Sequence, residues 1–411
     1  MKEKTKIAII TSGYFPVPAA MGGAVEALDE NLLRQNEIEN RVNFIVFSCY
    51  NKNAYEISCQ YKNSSFIFIR TPKIVAMADE IIYWIAKNIL KKKKSMSYRY
   101  ILQRLHYINK VAKKLKENDY DKLVIENHST LFMALKKYNN AEKYKGRYFY
   151  HLHNVVTNDY GCKKIIGNCK NVIGVSNYIN KTLQEFLQLE DNNQYVVLRN
   201  RIDRKKFLVN LTEKEVDDIR KKYDLSKDDV VFLFCGRFNE EKGIRELLKA
   251  FMHTENNCKL LIVGGYYYGS GMISPFEKEM YEFTQENLKD KVKFTGQIEY
   301  KMIPIIYAMA DVVVIPSVWD DPAPLTVIEA LTSGKALITT DSGGIPEYAD
   351  NSSSVVLKRD NNFIKNLAKT MNELANDDSR RTRMEEAALN KTKNWNIETF
   401  YDDFCHIVDE V

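Results

Sequence analysis

Short apolar runs alternate with longer amphipathic stretches along almost the whole of this 411-residue chain. Many of the runs are unbroken and rich in β-branched residues. Strands apolar on both sides belong to parallel sheets with helices above and below, so the alternation predicts an α/β fold. In the first half the predicted strands are Ile7 to Ile10, Val42 to Phe47, Phe66 to Ile69, Leu123 to Ile125, Tyr148 to Tyr150, Val172 to Val175 and Val196 to Leu198. A polar stretch over about 200–228 interrupts them. The pattern then restarts with Val230 to Cys235, Leu260 to Val263, Val292 to Phe294, Val312 to Ile315, Leu337 to Thr340 and Val355 to Leu357. The restart predicts two domains, 1–204 and 205–395. The end of the chain reads as two or three helices, the last of which, 396–411, is expected to cross back to the first domain. An open parallel sheet binds its ligand beyond the carboxyl ends of its strands. Two such domains in tandem are therefore expected to face each other across a ligand cleft.

Bulk properties exclude several classes. With 45% hydrophobic and 28% charged residues the composition is that of an ordinary globular protein. A net charge of +6 is too mild to indicate nucleic acid. The cysteine count is odd, seven, with no C-x-x-C pair, which argues against a disulfide framework or zinc knuckle and for reduced thiols. The start runs directly into a strand, with no apolar leader or cleavage site, and no run is long enough to span a bilayer. A cytoplasmic protein is expected.

Several motifs follow predicted strands. After the first come Gly13-Tyr14-Phe15-Pro16 and then Gly22-Gly23, which opens a helix. Glycines there let backbone N–H groups approach an anion, although a plain tight turn accounts for them equally well. The dinucleotide pattern G-x-G-x-x-G is absent. In the second half, Val230 to Cys235 leads into Gly236-Arg237 and Lys242-Gly243. These two cations suit a shared diphosphate, or are simply surface residues. Val312 to Ile315 leads through Trp319-Asp320-Asp321-Pro322-Ala323-Pro324 to a helix carrying Glu329. Carboxylates accept hydrogen bonds from vicinal hydroxyls. The helix start at Pro324, Leu325 and Thr326 suits phosphate, less one N–H at the proline. Polyol plus phosphate is what a nucleotide-sugar presents, while any one of these acids is also explained by solvation at the surface.

Taken together, these residues resemble glycosyltransferase family 4, retaining enzymes of the GT-B fold. Gly236-Arg237 with Lys242-Gly243, the spaced acids Asp321 and Glu329, Gly343-Gly344-Ile345-Pro346-Glu347, the linker phrase Asn200-Arg201-Ile202-Asp203, and His151-Leu152-His153-Asn154 carry the resemblance in order. It implies that Arg237 and Lys242 hold the donor diphosphate and that Glu329 binds the ribose. Asp321 would contact the transferred sugar. His153 would lie against that sugar, and Gly22 and Gly23 near its phosphate. It also implies a hexosyltransferase using a nucleotide-sugar, most often UDP-linked, with no obligatory metal or other cofactor. The acceptor would be a saccharide or lipid-linked saccharide in bacterial surface-polysaccharide assembly. No protein nucleophile is evident, which favours a same-face displacement aided by the leaving phosphate. Asp321 is one methylene shorter than the family's usual Glu, Arg201 replaces a glycine, and Pro324 stands where glycine is common. These departures bear on donor identity.

Between Ile81 and Lys116 there is no acidic residue and there are eleven basic ones, including Lys91 to Lys94. Ile81, Ile82, Ile85 and Ile89 recur at helical spacing beside Tyr83 and Trp84. The stretch reads as an interfacial segment attracting anionic lipid at the inner face of the plasma membrane, or as a helical pair packing its apolar side on the first domain. Glu126 and His128, after Leu123 to Ile125, either orient an acceptor hydroxyl or serve the core. Two other functions stand beside the transferase: a non-hydrolysing sugar-nucleotide epimerase, which shares the fold but not the Arg-Lys and spaced-acid pattern, and a donor-site-degenerate subunit that supports a catalytic partner, which Asp321 and Arg201 would favour.

Overall fold

The computed structural model describes residues 3–91, 99–188, 194–265 and 274–409. By internal contacts the chain divides into two compact units, residues 1–199 with 400–411, and residues 200–399. Each unit is built on one parallel sheet with Rossmann-like strand order. In the first unit the strands are β1 (Lys6–Ile10), β2 (Asn43–Cys49), β3 (Ser64–Ile69), β4 (Lys122–Glu126), β5 (Tyr148–Leu152), β6 (Val172–Gly174) and β7 (Tyr195–Val197). Their order in the sheet is β3-β2-β1-β4-β5-β6-β7. The second unit has β8 (Val230–Cys235), β9 (Cys258–Val263), β10 (Val292–Gly296), β11 (Val312–Ile315), β12 (Ala336–Thr340) and β13 (Ser354–Leu357), in the order β10-β9-β8-β11-β12-β13. Each sequence-predicted strand overlaps one of these. The central strands are buried along nearly their whole length, as β-branched runs between two helical layers require.

Strand order reverses between β1 and β4 in the first sheet and between β8 and β11 in the second. At such a switch point the two loops leaving the strands diverge to opposite faces and leave a crevice. The motifs fall there. Gly22 and Gly23 precede α1 (Ala24–Glu39), which follows β1, and Glu126 ends β4. Gly236 to Gly243 join β8 to the helix α4 (Ile244–Phe251). Residues 316–324 join β11 to α5 (Leu325–Thr332). The polar stretch after β7 is not a plain linker: it contains the helix Glu213–Lys222, closed at its start by a capping box between Thr212 and Glu215.

The chain ends in three helices: α6 (Phe363–Asn376), α7 (Asp378–Lys391) and α8 (Ile397–Asp409). The aromatic residues of α8 pack with the first unit. The Tyr401 hydroxyl donates to Asn36 Oδ1 at 2.6 Å, and the Phe404 ring lies 6.0 Å from that of Phe44.

In the first unit α2 (Lys73–Trp84) continues through one π-helical turn (Ile85–Ile89), and a connection leads to α3 (Ile101–Glu117). The pair is joined by a polar device. Asp79, fully buried, accepts from the backbone N–H groups of Leu102 and Gln103 at 2.8 Å each, which closes the start of α3.

Gly243 shows how tightly the second switch point is assembled. Its φ is 71°, and a Cβ built there would lie 1.9 Å from the Pro316 carbonyl oxygen. Gly146 has a similar φ of 70° but open space around it. Gly243→Ala is expected to destabilise the chain by more than about 1 kcal/mol, and Gly146→Ala by less, since only the former adds a backbone collision to the strain. Thermal midpoints of the two full-length variants check this; equal shifts would refute the close approach.

Candidate functional site

In the second unit the loops after β8, β11 and β12 are tied together through backbone. The backbone N–H groups of Val318 and Trp319 donate to the Glu241 carbonyl at 3.0 and 3.3 Å, and Ser317 Oγ reaches the same oxygen at 3.3 Å. The Gly344 N–H donates to the Asp321 carbonyl at 2.9 Å, and Gly343 N–H to Asp320 Oδ1 at 3.2 Å. This brings the Lys242 ammonium onto the Asp321 carboxylate as a mostly buried ion pair. Arg237, on the same loop as Lys242, is exposed. Asn200 of the linker phrase also belongs to this assembly: its N–H meets the Tyr348 hydroxyl at 3.1 Å and its side-chain amide the Ala323 carbonyl at 3.4 Å. Pro324 caps α5, and Leu325 and Thr326, both half-buried, form its first turn.

Glu329 is not beside the Lys242–Asp321 pair in a shared network. It is buried one turn into α5, where Tyr300 donates to Oε1 at 2.9 Å and Tyr307 to Oε2 at 3.1 Å. Burial raises its carboxyl above the ordinary range, against the two phenols. Phe207, seven residues after Asn200, lies 6.2 and 6.0 Å from the rings of Tyr300 and Tyr307. Arg359 also serves the loop after β11. It binds the Val318 carbonyl at 2.8 Å and the Asp320 carboxylate. It borders an open cavity of about 590 Å³ lined by Val318, Asp341, Lys358, Asp360 and Phe363, and by none of the sequence-predicted site residues. Nothing in the sequence pattern marks Tyr300, Tyr307 or Arg359.

In the first unit Gly22 and Gly23 have φ of 77° and 108°, and Gly23 stands at the N-terminus of α1. A Cβ at Gly23 would lie 2.2 Å from the Glu26 carboxylate. Glu26 accepts from Ser12 Oγ at 3.0 Å. Burial raises the Glu26 carboxyl. One turn further along α1, Asp29 is buried with neither oxygen hydrogen-bonded among the described residues. Burial, then the charges of Glu126 and Glu26, push its carboxyl well above the ordinary range. Glu126 is completely buried and faces two imidazoles, His151 Nδ1 at 3.1 Å from Oε1 and His153 Nε2 at 3.3 Å from Oε2. Burial alone would raise its carboxyl, but the two histidines hold it down at about 2. Glu126 thus does not present itself to a ligand; it lies beneath His153. The three side chains offer ligand atoms within 4.8 Å of one another, a spacing a metal would accept, but His151 Nδ1 and His153 Nε2 each already face a separate oxygen of Glu126 at hydrogen-bond distance, while His151 Nε2 is buried without a partner among the described residues. His151 is legible in hindsight. It shares a strand face with His153 at period two, and its register partner is Glu126.

Residues 215–391 match the family model described as Glycosyl transferases group 1. Spore coat protein SA of Bacillus subtilis is 23% identical over 389 residues, 92% of each chain. The lipopolysaccharide 1,2-N-acetylglucosaminetransferase of Salmonella typhimurium is 31% identical over 136 residues, 32% of this chain and 35% of that one. Among solved structures, Anabaena Alr3699/HepE in complex with UDP superposes with a TM-score of 0.72 at 16% identity, covering 99% of this chain and 100% of that one. With two Rossmann-like sheets and these matches, the chain is a glycosyltransferase of the GT-B fold.

Half-buried His128 and buried His153 give the first unit a pH dependence of known sign. Burial, then the Arg104 charge, pushes His128 down to about 4, and burial, then His151, pushes His153 to about 4. The unfolded chain takes up these protons near pH 6.5 and the folded one only near 4. Stability is therefore full above about pH 6.5 and falls as pH drops toward 4. The raised carboxyls of Glu26 and Asp29 act in the opposite sense. Replacing His128 by Gln is expected to flatten the fall in thermal midpoint between pH 6.5 and 4.5. An unchanged slope would show that His128 does not stay neutral in the folded protein.

Proposed function

We propose that this glycosyltransferase moves a sugar from a UDP-sugar, with retention of configuration, to a saccharide or lipid-linked saccharide in surface-polysaccharide assembly. The observation that carries this reading is the convergence of Lys242 and Asp321, on loops after β8 and β11, at the switch point of the second sheet. A parallel sheet delivers its ligand to such a point. In this reading Arg237 and Lys242 neutralise the leaving diphosphate, helped by the start of α5 at Pro324, Leu325 and Thr326. Lys242 then divides its charge between phosphate and Asp321, and Asp321 addresses the hydroxyls of the transferred sugar. Glu329, steadied by Tyr300 and Tyr307, takes the ribose. His153 faces the sugar, and Gly22 and Gly23 its phosphate. The chemistry requires cations and helix ends, and no metal ion or other cofactor. The UDP bound by the Anabaena protein and the lipopolysaccharide substrate named for the Salmonella enzyme support the donor and acceptor classes.

The acceptor side includes a membrane in this reading, with the enzyme peripheral on the cytoplasmic face. Ile74, Met77, Ile81, the adjacent Trp84 and Ile85, and Ile89 follow one another at helical spacing along α2 and its π-helical turn, and all are exposed, Ile74 at 81% and Trp84 at 57%. The packed-helix alternative expects Ile81, Ile82, Ile85 and Ile89 to be buried against the first domain; of these four only Ile82 is half-buried and the others are exposed. The apolar stripe also begins seven residues before the basic stretch. Lys73, Lys87, Lys91 and Arg99 flank it, while Lys92, Lys93, Lys94 and Tyr98 lie outside the described residues. An apolar face on a segment that also carries Lys73, Lys87 and Lys91 suits anionic lipid, while Arg99 pairs with Glu80 at 3.3 Å. No helix among the described residues is long and apolar enough to cross a membrane.

Lys242→Ala and Arg237→Ala are each expected to lower turnover about a hundredfold or more. Glu329→Ala should weaken calorimetric affinity for UDP, while Asp321→Ala should spare UDP affinity and lower transfer. The reverse pattern for the two acids would exchange their roles. The wild-type chain is expected to co-sediment with anionic liposomes at low salt and to release them at high salt, since each Lys or Arg near the surface contributes about 1 kcal/mol. Met77→Asp with Ile81→Asp should abolish sedimentation without changing UDP affinity. A wild-type chain that ignores anionic liposomes at low salt would point to a soluble acceptor.

A further inference from the structure

Three features of the first unit converge on His153. Its Nε2 and the Nδ1 of His151 each meet a separate oxygen of Glu126, at 3.3 and 3.1 Å. Its backbone N–H is held by Asn127 Oδ1 at 3.3 Å, and Asn127 is itself fixed, its N–H on the His151 carbonyl at 2.7 Å and its carbonyl on the Tyr150 hydroxyl at 2.8 Å. Asp29, wholly buried, lies close enough to Glu126 for the two carboxyls to act on each other, and no donor group among the described residues meets either of its oxygens.

Two neighbouring carboxylates in a buried site do not both keep a charge. Asp29, with nothing to stabilise an anion, takes the proton; Glu126, with two ring nitrogens on its oxygens, keeps the charge. An ionised carboxylate only accepts hydrogen bonds. The hydrogens in both contacts therefore belong to the rings, His151 carrying one on Nδ1 and His153 one on Nε2. Burial keeps His153 neutral near pH 7, which leaves its Nδ1 bare.

We propose that Glu126 is a positioning residue that fixes the tautomer of His153, so that His153 meets the transferred sugar with a bare Nδ1 accepting a hydroxyl hydrogen, rather than with an N–H directed at the diphosphate. The proposal rests on the reading of His153 given under Proposed function and adds the direction of its hydrogen bond. It assigns the recognised group: a sugar hydroxyl with a hydrogen to give. A donor in which that hydroxyl is replaced by fluorine, which only accepts, would lose the contact. Glu126 never touches the substrate; it acts through the ring.

The test uses the full-length chain labelled with ¹⁵N at histidine. Long-range ¹H–¹⁵N correlation at neutral pH is expected to show His153 with hydrogen on Nε2 and His151 with hydrogen on Nδ1, unchanged by EDTA. A hydrogen on His153 Nδ1 would overturn the proposal. So would ring signals that change on adding EDTA, since a bound divalent ion would then hold the cluster. In Glu126→Gln the amide offers one acceptor and one donor, so one ring must exchange its tautomer. Release of UDP is measured from UDP-glucose, UDP-galactose and UDP-N-acetylglucosamine. Glu126→Gln is expected to lower kcat at least about tenfold, the effect of losing one hydrogen bond to a charged group, with KM for the donor little changed. A folded Glu126→Gln whose ¹H–¹⁵N spectrum shows His153 with hydrogen on Nδ1 yet keeps wild-type kcat, beside an inactive His153→Ala, would overturn the positioning role and leave His153 in place. An active His153→Ala would instead remove the earlier reading of His153. If Glu126→Gln fails to fold, the wild-type spectrum decides alone.

Discussion

The absence of a side chain at Gly243 is the constraint on which the second unit's site depends. The start of α4 lies so close to the Pro316 carbonyl that any Cβ would collide with it. That approach lets the Glu241 carbonyl collect hydrogen bonds from Ser317, Val318 and Trp319. It is repeated on the other side, where a Cβ at Gly343 would lie 2.5 Å from the Asp321 carbonyl. The loop carrying Asp321 is thus held between two glycine-lined backbones, with Arg359 across its outer edge. Lys242 and Asp321 meet because the main chains around them can touch. The ion pair is a result of that packing, and its low exposure gives it the directional precision that an exposed pair lacks.

Much of the architecture was legible because strands buried on both faces leave an unmistakable trace in sequence. Runs such as Val312 to Ile315 have no other comfortable environment than a parallel sheet between helices. The loops were legible for another reason: glycine, proline and charge at fixed offsets from a strand end mark a position where backbone and ligand approach closely. What lay hidden was everything supplied from a distance. Tyr300 and Tyr307 reach Glu329 from a different loop and helix, and Arg359 reaches Asp320 across thirty-nine residues of chain. No local spacing encodes such pairs. The apolar stripe was half visible. Requiring a stretch free of acids cut it at Ile81, because Asp79 and Glu80 precede it. Asp79 proves to be an inward-facing cap and so does not interrupt the outer face at all.

The two units handle buried charge differently. The second sets a lysine against an aspartate and hydroxyls against a glutamate, so its acids are paired or hydrogen-bonded. The first gathers Glu26, Asp29 and Glu126 with two imidazoles and no ammonium or guanidinium in hydrogen-bond contact among the described residues. Such a group reaches a tolerable energy only by moving protons to where each is needed. The charges of Glu26, Asp29 and Glu126 act on one another, so a substitution at one of these acids changes the charge carried by the others.

The two phenols on Glu329 set a limit of another kind. A carboxylate has about four lone-pair directions. Tyr300 and Tyr307 use one on each oxygen. Two remain, one per oxygen, the number a vicinal diol occupies when both hydroxyls donate. The carboxylate is already oriented by its own protein, so a ligand that supplies two adjacent donors completes its coordination without turning it. A ligand that supplies one leaves a vacancy inside a buried cage. In the role proposed for Glu329, discrimination between diol and mono-ol is therefore a matter of stoichiometry, set by the tyrosines before any ligand arrives.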